Sequence, residues 1–326
     1  MAVRGGVVSA ALTEPRFPAM AAGYESFYLR ACHPDGGLGV WIRYTVACRP
    51  GLPPTGSLWF TLFEETGPTA TKLTVPDVSA AGWIRIAGAH LGPGVATGRA
   101  NDVEWDLRFT GAEALRHLPA GWLYGAPLPR TKPVSLHPVA RFDGRVRVGG
   151  REITLAGWPG MVGHNWGTQH AERWIWLHGM AFRGAGESTW LDLTVGRILV
   201  GGRLTPWLAN GAICVDGTRL RLGGLGRTRR PRVSEAADRL ELAVPGQEIV
   251  VAARVSAPRE RIVGWVYGDP DGSVHHTANC SIADLSIRVA RPDRAPLDLR
   301  APGLAAYELG MRETDHGIPI QPFTDG

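Results

Sequence analysis

Apolar and polar positions alternate with a period of two through most of this chain. Short runs rich in Val, Ile, Trp, Thr and Leu, such as Gly39–Ala47 and Trp174–Phe182, are separated by Gly, Pro, Asp and Asn. This alternation is typical of β-strands that end in turns. Two runs, Arg145–Val148 and Glu152–Ala156, enclose Gly149-Gly150 and predict a tight hairpin. The pattern therefore predicts an all-β protein.

The number of predicted strands sets the architecture. About sixteen or more strands can be counted, and the helix candidates are two short stretches, Gly111–Leu118 and Ser234–Leu240. One closed barrel of that size would leave a water-filled lumen, whereas two antiparallel barrels of about eight strands each would have packed interiors. We place the domain boundary after Gly167, which gives domains 1–167 and 168–326. The alternative boundary is the Pro-rich stretch Pro127–Pro138.

Three predicted strands place an indole on the same face as polar side chains. These faces carry Trp41 and Arg43, then Trp174, Trp176 and His178, then Trp190, Asp192 and Thr194. The opposite faces are apolar, as expected for a barrel with a packed outer layer and an amphipathic interior. Indole walls with a few polar groups describe a small-molecule cavity, which we expect inside a barrel. The alternative is that the indoles are core or interface residues, with Arg43 and Asp192 paired at a rim.

The segment Gly163-His164-Asn165-Trp166-Gly167 carries the clearest candidate chemistry. Glycines on both sides of a polar cluster indicate a tight connection in which the backbone can be approached closely. His164 can act as an acid or a base near neutral pH, although a buried, hydrogen-bonded histidine is the alternative. We take His164, Asn165 and Asp192 as catalytic candidates. The predicted ligand contacts are the indoles of Trp41, Trp166, Trp174, Trp176 and Trp190, together with Glu25, Arg43 and His178.

Composition and motifs exclude several other classes. Apolar residues make up 44% and charged residues 20% of the 326-residue chain, which is typical of a folded protein. The net charge is +5, but no long Lys/Arg block interleaved with aromatics is present, so nucleic acid is not an expected partner. No P-loop, Rossmann glycine fingerprint or GxSxG motif occurs. No apolar run is long enough for a transmembrane segment.

Residue spacing and the first residues of the chain bear on metal binding and localisation. His164, His170, Glu172 and His178 are close in sequence, but their spacing matches no common ligand pattern, so we expect no metal site and no cofactor. The four cysteines are far apart, and Met1–Leu12 has no convincing signal-peptide cleavage site. We therefore expect a cytoplasmic protein.

The chain also resembles a known family. Gly163-His164-Asn165-Trp166-Gly167 followed by Arg173–Leu177 is similar to the Asp-His-x-Trp/Phe-Gly…Trp-x-Trp signature of the lipocalin-like carotenoid 1,2-hydratase superfamily, which includes hydroxyneurosporene synthase and AttH-like proteins and, more distantly, tocopherol cyclases. Glu25–Tyr28 and Tyr307–Gly310 are also similar to stretches of that group. The resemblance implies two lipocalin-like barrels in tandem and a hydrophobic ligand, often an isoprenoid or polyene.

The resemblance further implies chemistry without a cofactor. In these hydratases and cyclases an acid protonates a carbon–carbon double bond, and water or an internal hydroxyl captures the cation. The acid of the signature is replaced here by Gly163, so Asp192, Glu25 or Glu308 could substitute for it if burial raised the pKa of the carboxyl group, while His164 and Asn165 orient or protonate the substrate. We expect a protein that binds an isoprenoid, polyene or polyketide and catalyses a cyclisation, isomerisation or hydration. A carrier or sensor without catalysis is the alternative.

Overall fold

The structure, a computed structural model, describes residues 10–224 and 230–323, so most of the stretch considered for a signal peptide lies outside the described residues. The described helices are single turns. They are the α-helical turn α1 (Ala10–Thr13) and the 3-10 turns Phe17–Ala19, Gly121–Tyr124 and Arg259–Arg261. Among the described residues, no helix has the length and apolar character needed to cross a membrane.

The first sheet has twelve antiparallel strands in the order β4-β3-β2-β1-β12-β11-β9-β8-β7-β6-β5, with β10 paired to β11. Its strands are β1 (Gly23–Cys32), β2 (Leu38–Cys48), β3 (Thr55–Glu64), β4 (Thr69–Val75), β5 (Val78–Ser79), β6 (Ile84–Ile86), β7 (Ala89–Gly92), β8 (Val95–Ala100), β9 (Val103–Gly111), β10 (Leu115–Arg116), β11 (Thr131–Val148) and β12 (Arg151–Gly167).

The second sheet repeats this topology with ten strands in the order β18-β17-β14-β13-β24-β23-β21-β20-β19, with β22 paired to β23; β15 and β16 form a separate hairpin. The strands are β13 (Arg173–Met180), β14 (Trp190–Arg197), β15 (Leu199–Val200), β16 (Arg203–Leu204), β17 (Leu208–Val215), β18 (Thr218–Gly223), β19 (Arg232–Ala236), β20 (Arg239–Pro245), β21 (Val250–Ser256), β22 (Val263–Gly268), β23 (Val274–Arg291) and β24 (Arg294–Met311). In both sheets the first strand lies between the second and the last. The prediction of two antiparallel barrel-like sheets in tandem is confirmed.

Local sequence determines some of these elements and fails at others. The Gly149-Gly150 hairpin is confirmed, because both glycines adopt positive φ between β11 and β12. Both helix candidates are wrong: Leu115–Arg116 pairs with β11, and Arg232–Ala236 pairs with β20. Pairing with a neighbouring strand outweighs a weak local preference for helix.

Two hydrophobic cores hold the molecule together. One fills the interior of the first sheet and includes Ile42 and Tyr44. The other fills the second sheet but extends across the interface, where Trp41 and Trp59 of the first sheet pack against Trp265 of the second, with ring centroids 6.4 and 5.1 Å apart. Alternation along β2 thus sends Ile42 inward and Trp41 towards the other sheet.

Candidate functional site

The indole face of β13 points at the first sheet. Ile175 and Leu177 are buried in the core of the second sheet, so the alternating residues Trp174 and Trp176 project from its outer side. The predicted cavity is therefore real, but it lies between the two sheets. The expectation of a cavity inside a barrel is corrected, because the interior of each sheet is filled by aliphatic and aromatic side chains.

The cavity has a volume of about 590 Å³, within the usual range for small-molecule sites. Its first wall includes β1, β2, β11 and β12 with the connection 118–130, and its second wall includes β13, β14, β15, β17, β22 and β24. The lining of the two walls includes aromatic, polar and charged side chains: Tyr28, Trp41, Arg43, Asn165, Trp174, Trp176, Thr194, Tyr267 and Glu308. Among the ligand contacts predicted from sequence, Trp41, Arg43, Trp174 and Trp176 do line this cavity, as does Asn165.

Two aromatic rings of the cavity wall lie flat on glycines of the neighbouring strand. Tyr28 of β1 is the cross-strand partner of Gly163, and Trp174 of β13 is the partner of Gly310. A Cβ atom on Gly163 would be 2.2 Å from Cζ of Tyr28, and one on Gly310 would be 2.1 Å from Cε2 of Trp174. The glycines therefore let both rings lie against the sheet, which keeps the space between the sheets open.

Glu308 is the carboxyl group of this wall that receives the most hydrogen bonds. Its Oε1 accepts a hydrogen bond from Nε1 of Trp174 at 2.9 Å. Its Oε2 accepts one from the hydroxyl of Tyr267 at 3.0 Å and one from the amide of Asn279 at 2.9 Å. The guanidinium of Arg43 lies 4.0 Å from the ring centroid of Tyr267 and donates to Oγ of Ser26 at 2.7 Å. Glu308 is thus fixed in position at the cavity surface.

Tyr28 and Asn165 place polar groups at the same cavity. Oδ1 of Asn165 is buried and has no hydrogen-bond partner among the described residues. Burial is the main cause that raises the pKa of Tyr28 well above its ordinary value. The phenol therefore keeps its proton at neutral pH and remains a hydrogen-bond donor.

Asp192 lies behind the cavity wall in a fully buried network. Its carboxylate accepts a short hydrogen bond from Oγ of Ser135 and a 3.3 Å bond from Nε1 of Trp176, and it lies 3.6 Å from Nε2 of His117. Burial alone would raise the pKa of Asp192, but His117 and Ser135 outweigh it and the pKa is lowered. Asp192 joins the two sheets and fixes the indole of Trp176; it is not paired with Arg43.

His164 and Glu25 form a second buried pair, which also faces away from the cavity. Nε2 of His164 is 2.8 Å from Oε1 of Glu25, and its Nδ1 is 2.8 Å from the carbonyl oxygen of Leu12. The other oxygen of Glu25 accepts hydrogen bonds from the backbone amides of Arg16 and Phe17. The pair therefore holds the segment 10–19 against the end of the first sheet. Because neighbours on a strand point to opposite faces, His164 and Asn165 do not meet.

The remaining predicted contacts are also outside the cavity lining. His178 is fully buried and bonds to Arg30 and to the carbonyl of Pro138. Trp190 belongs to a small buried cluster with Met180. Trp166 packs against the ring of Tyr124 and against the guanidinium of Arg16. It is not part of the cavity lining, whereas its neighbour Asn165 is.

Three potential metal ligands meet at the wall of the cavity, and one of them, His170, belongs to its lining. Nδ1 of His170 is 2.7 Å from Oδ1 of Asp269, and Nδ1 of His275 is 3.7 Å from Oδ2 of the same carboxylate. One potential ligand atom from each of the three residues lies within 4.8 Å of the others. Burial and the nearby charges of His170 and Arg312 lower the pKa of His275 to about 4.

Sequence reasoning missed part of the site for a definite reason. Tyr28 and Glu308 stand in stretches that resemble the hydratase group, but nothing local shows that they share a cavity with Asn165. The contact of His170 with Asp269 and His275 joins residues about one hundred positions apart, which no spacing rule along the chain can detect. The useful signal was the period of two, which marked the faces that meet.

Comparison with known proteins gives relatives and folds. No family model matches the chain. Two uncharacterized proteins of Mycobacterium tuberculosis, Rv0493c of strain ATCC 25618 / H37Rv and MT0513 of strain CDC 1551 / Oshkosh, are each 30% identical over 316 residues, which cover 94% of this chain and 91% of the relative.

Among solved structures, kievitone hydratase from Nectria haematococca is similar with a TM-score of 0.52 and 10% identity over 96% of both chains. An AttH-like protein from Nitrosomonas europaea gives a TM-score of 0.49 and 12% identity over 88% of this chain and 92% of its own. The similarity to kievitone hydratase concerns the fold alone, and it agrees with the two-sheet architecture that the resemblance implied.

Proposed function

We propose that this chain, which belongs to the family of the mycobacterial proteins Rv0493c and MT0513, is a hydratase-like enzyme for a hydrophobic small molecule of the isoprenoid, polyene or polyketide class. The cavity of about 590 Å³ is the observation that carries the proposal, because its indole walls surround the carboxyl group of Glu308, the phenol of Tyr28 and the unbonded amide oxygen of Asn165. Kievitone hydratase, which has the same fold, is named for hydration of kievitone.

In the proposed reaction Glu308 acts as the acid and then as the base. Its carboxyl group transfers a proton to one carbon of a double bond, which forms a new C–H bond and leaves a cation on the other carbon. The indole faces of Trp174 and Trp176 and the carboxylate stabilise that cation. The oxygen of a water molecule then bonds to the cation and returns its surplus proton to Glu308. The net change is addition of water, with Glu308 restored.

Asn165 and Tyr28 orient the water in this scheme. Oδ1 of Asn165 has no partner among the described residues and accepts a hydrogen bond from the water, and the hydroxyl of Tyr28 in the cavity lining donates one to a water or ligand oxygen. If an internal hydroxyl of the ligand replaces the water, the product is a ring. If the cation instead loses a different proton, the product is an isomer. The same groups therefore serve the cyclisation and isomerisation predicted from sequence.

The other predicted residues have supporting roles in this proposal. Asp192 positions the indole of Trp176, to which it is hydrogen-bonded, and its lowered pKa makes it a poor proton donor. His164 and Glu25 position the segment 10–19. No metal or other cofactor takes part in these steps.

Activity is tested with the variant Glu308→Gln on a panel of prenylated phenols, acyclic terpenes and carotenoid precursors. Products are followed by liquid chromatography and mass spectrometry as a gain of the mass of one water molecule. Loss of an acid–base group predicts a rate at least about 100-fold lower. The matched control is Glu187→Gln, which removes an exposed ion pair with Arg141 and should keep the wild-type rate.

Binding is tested separately with Nile red, an apolar dye whose emission reports its surroundings. Thr194→Trp places an indole in the cavity and should abolish dye binding, whereas Thr218→Trp makes the same change at an exposed position outside the cavity lining and should not. A protein that binds panel compounds but returns all of them unchanged would be a carrier, and the catalytic proposal would then fail. Equal dye binding by both variants would refute the cavity as the binding site.

A further inference from the structure

His275 is a fully buried residue whose ring has no hydrogen bond. Neither Nδ1 nor Nε2 has a hydrogen-bond partner among the described residues, although the residue is 0% exposed. Buried side-chain nitrogens are nearly always bonded to protein or to an ordered water, so an imidazole without either bond needs a specific explanation. A ligand that accepts electron density from a ring nitrogen would supply it.

The surroundings of His275 have the composition of a metal centre. His170 in the connection between the sheets, Asp269 directly after β22 and His275 in β23 each offer one ligand atom, and these three atoms lie within 4.8 Å of one another. Two imidazoles and one carboxylate are a common ligand set for divalent first-row transition ions, with the remaining positions open.

The distances suit such an ion. Bonds of about 2.0 to 2.2 Å place neighbouring ligand atoms about 3.0 to 3.5 Å apart. The observed separations are 2.7 Å from Nδ1 of His170 to Oδ1 of Asp269 and 3.7 Å from Nδ1 of His275 to Oδ2 of Asp269, and the three ligand atoms lie within 4.8 Å of one another. Shifts of about 1 Å, shared among the three side chains, would therefore complete the centre, and the ion would replace the hydrogen that His170 shares with Asp269.

We propose that His170, Asp269 and His275 bind one divalent first-row transition metal ion, such as Zn²⁺, in the wall of the cavity. The inference departs from the sequence expectation of no metal site, which rested on the spacing of the histidines along the chain. It does not rest on the proposed hydratase activity, because it follows from the unbonded ring and the ligand set alone.

Neighbouring groups hold the proposed ligands in place and do not occupy the position of the ion. Asp269 also accepts hydrogen bonds from the backbone amide of His170 at 2.9 Å and from Oγ of Ser273 at 3.3 Å, which hold its carboxylate in place. Both oxygens of Glu172 are engaged by Arg312, so this neighbouring acid is balanced and is not needed as a ligand. His170 lines the cavity, which gives an ion a path of entry.

The test is a titration of chelator-treated, full-length protein with Co²⁺ alone, followed by visible absorption, and with Zn²⁺ in competition. We expect saturation at one ion per chain and displacement of Co²⁺ by Zn²⁺. Asp269→Asn keeps the size and the hydrogen-bond acceptor, and His170→Gln changes a ligand at the cavity surface. Each substitution should raise the dissociation constant for Co²⁺ at least about 100-fold.

The matched control is His276→Gln. His276 is the next residue, but on the opposite face of β23, where its Nδ1 is 3.3 Å from Nε2 of His316. This variant should bind Co²⁺ like the wild type. The proposal is overturned if the wild type gives no saturable signal, if Asp269→Asn and His170→Gln bind with wild-type affinity while retaining the wild-type circular dichroism, or if His276→Gln abolishes binding. Each variant is also assayed for Nile red, so that loss of the metal centre is distinguished from loss of the cavity.

Discussion

The contact between Tyr28 and Gly163 leads to a quantitative prediction. Gly163 lies in the interior of β12 with an ordinary backbone conformation, so alanine brings no strain of its own there. The added Cβ would stand 2.2 Å from Cζ and 2.5 Å from the hydroxyl oxygen of Tyr28. Carbon atoms in contact are separated by about 3.5 to 4.0 Å, so the ring has to move by more than about 1 Å. Such overpacking costs about 1–3 kcal/mol.

A double-mutant cycle assigns that cost to the ring. Gly163→Ala should lower the free energy of unfolding by about 2 kcal/mol. In the Tyr28→Ala background the same substitution should cost close to nothing, because the space is empty. In the Tyr28→Phe background the cost should remain, since Cζ is still in place. The coupling energies are measured by guanidinium unfolding at unchanged m-value, with Nile red binding as a second readout of the cavity.

The control and the refuting result come from the same series. Gly186→Ala adds a Cβ whose nearest neighbour is 3.7 Å away, and it should change stability by less than about 0.5 kcal/mol. If Gly163→Ala is as stable as the wild type, the ring is not packed on the glycine as described. If Tyr28→Phe relieves the cost as fully as Tyr28→Ala, the hydroxyl rather than the ring makes the contact.

Two further predictions concern buried histidines. His164→Ala leaves Glu25 buried without its partner, so we expect the free energy of unfolding to fall by about 3–5 kcal/mol. Amide hydrogen exchange in residues 10–19 should become faster, while Nile red binding is retained. Unchanged exchange in that segment would contradict the role of the pair. Arg30 donates a hydrogen bond to Nδ1 of His178. Burial, together with the charge of Arg30, lowers the pKa of His178 from its ordinary value of 6.5 to about 4. Between pH 6.5 and pH 4 the unfolded chain therefore binds a proton at this residue that the folded protein does not bind. As the pH is lowered from about 6.5 to about 4, the free energy of unfolding, measured with urea, should fall by about 3 kcal/mol more in the wild type than in His178→Gln. Equal pH profiles of stability in the two proteins would refute the linkage.

The predictions from sequence that held are those that depend on period and turn chemistry. Alternation along β13 placed Trp174 and Trp176 on one face, and Gly149-Gly150 determined a hairpin, because both are properties of a few neighbouring residues. Which face meets which partner is a long-range property. The indole face was expected inside a barrel, yet the aliphatic residues between the indoles are the ones that fill the interior of the second sheet.

The resemblance to the hydratase signature also needed the structure for its interpretation. The glycine in place of the signature's acid suggested a missing catalytic group, but it is the position on which the ring of Tyr28 lies. His164 of the same signature faces the opposite side of β12 and holds the segment 10–19. A motif written along one strand thus contains residues of two faces, and only alternate members can act together.

The arrangement of the cavity explains why two sheets are required. Glu308, Trp174 and Trp176 come from the second sheet, whereas Tyr28 and Asn165 come from the first, so neither half alone could enclose a ligand. A half of the molecule taken alone would expose an aromatic face to water, and such faces are stable only when covered. The interface core around Trp41, Trp59 and Trp265 covers part of that surface and holds the sheets at a fixed separation. The remainder stays open as the cavity, because Gly163 and Gly310 let the rings lie flat.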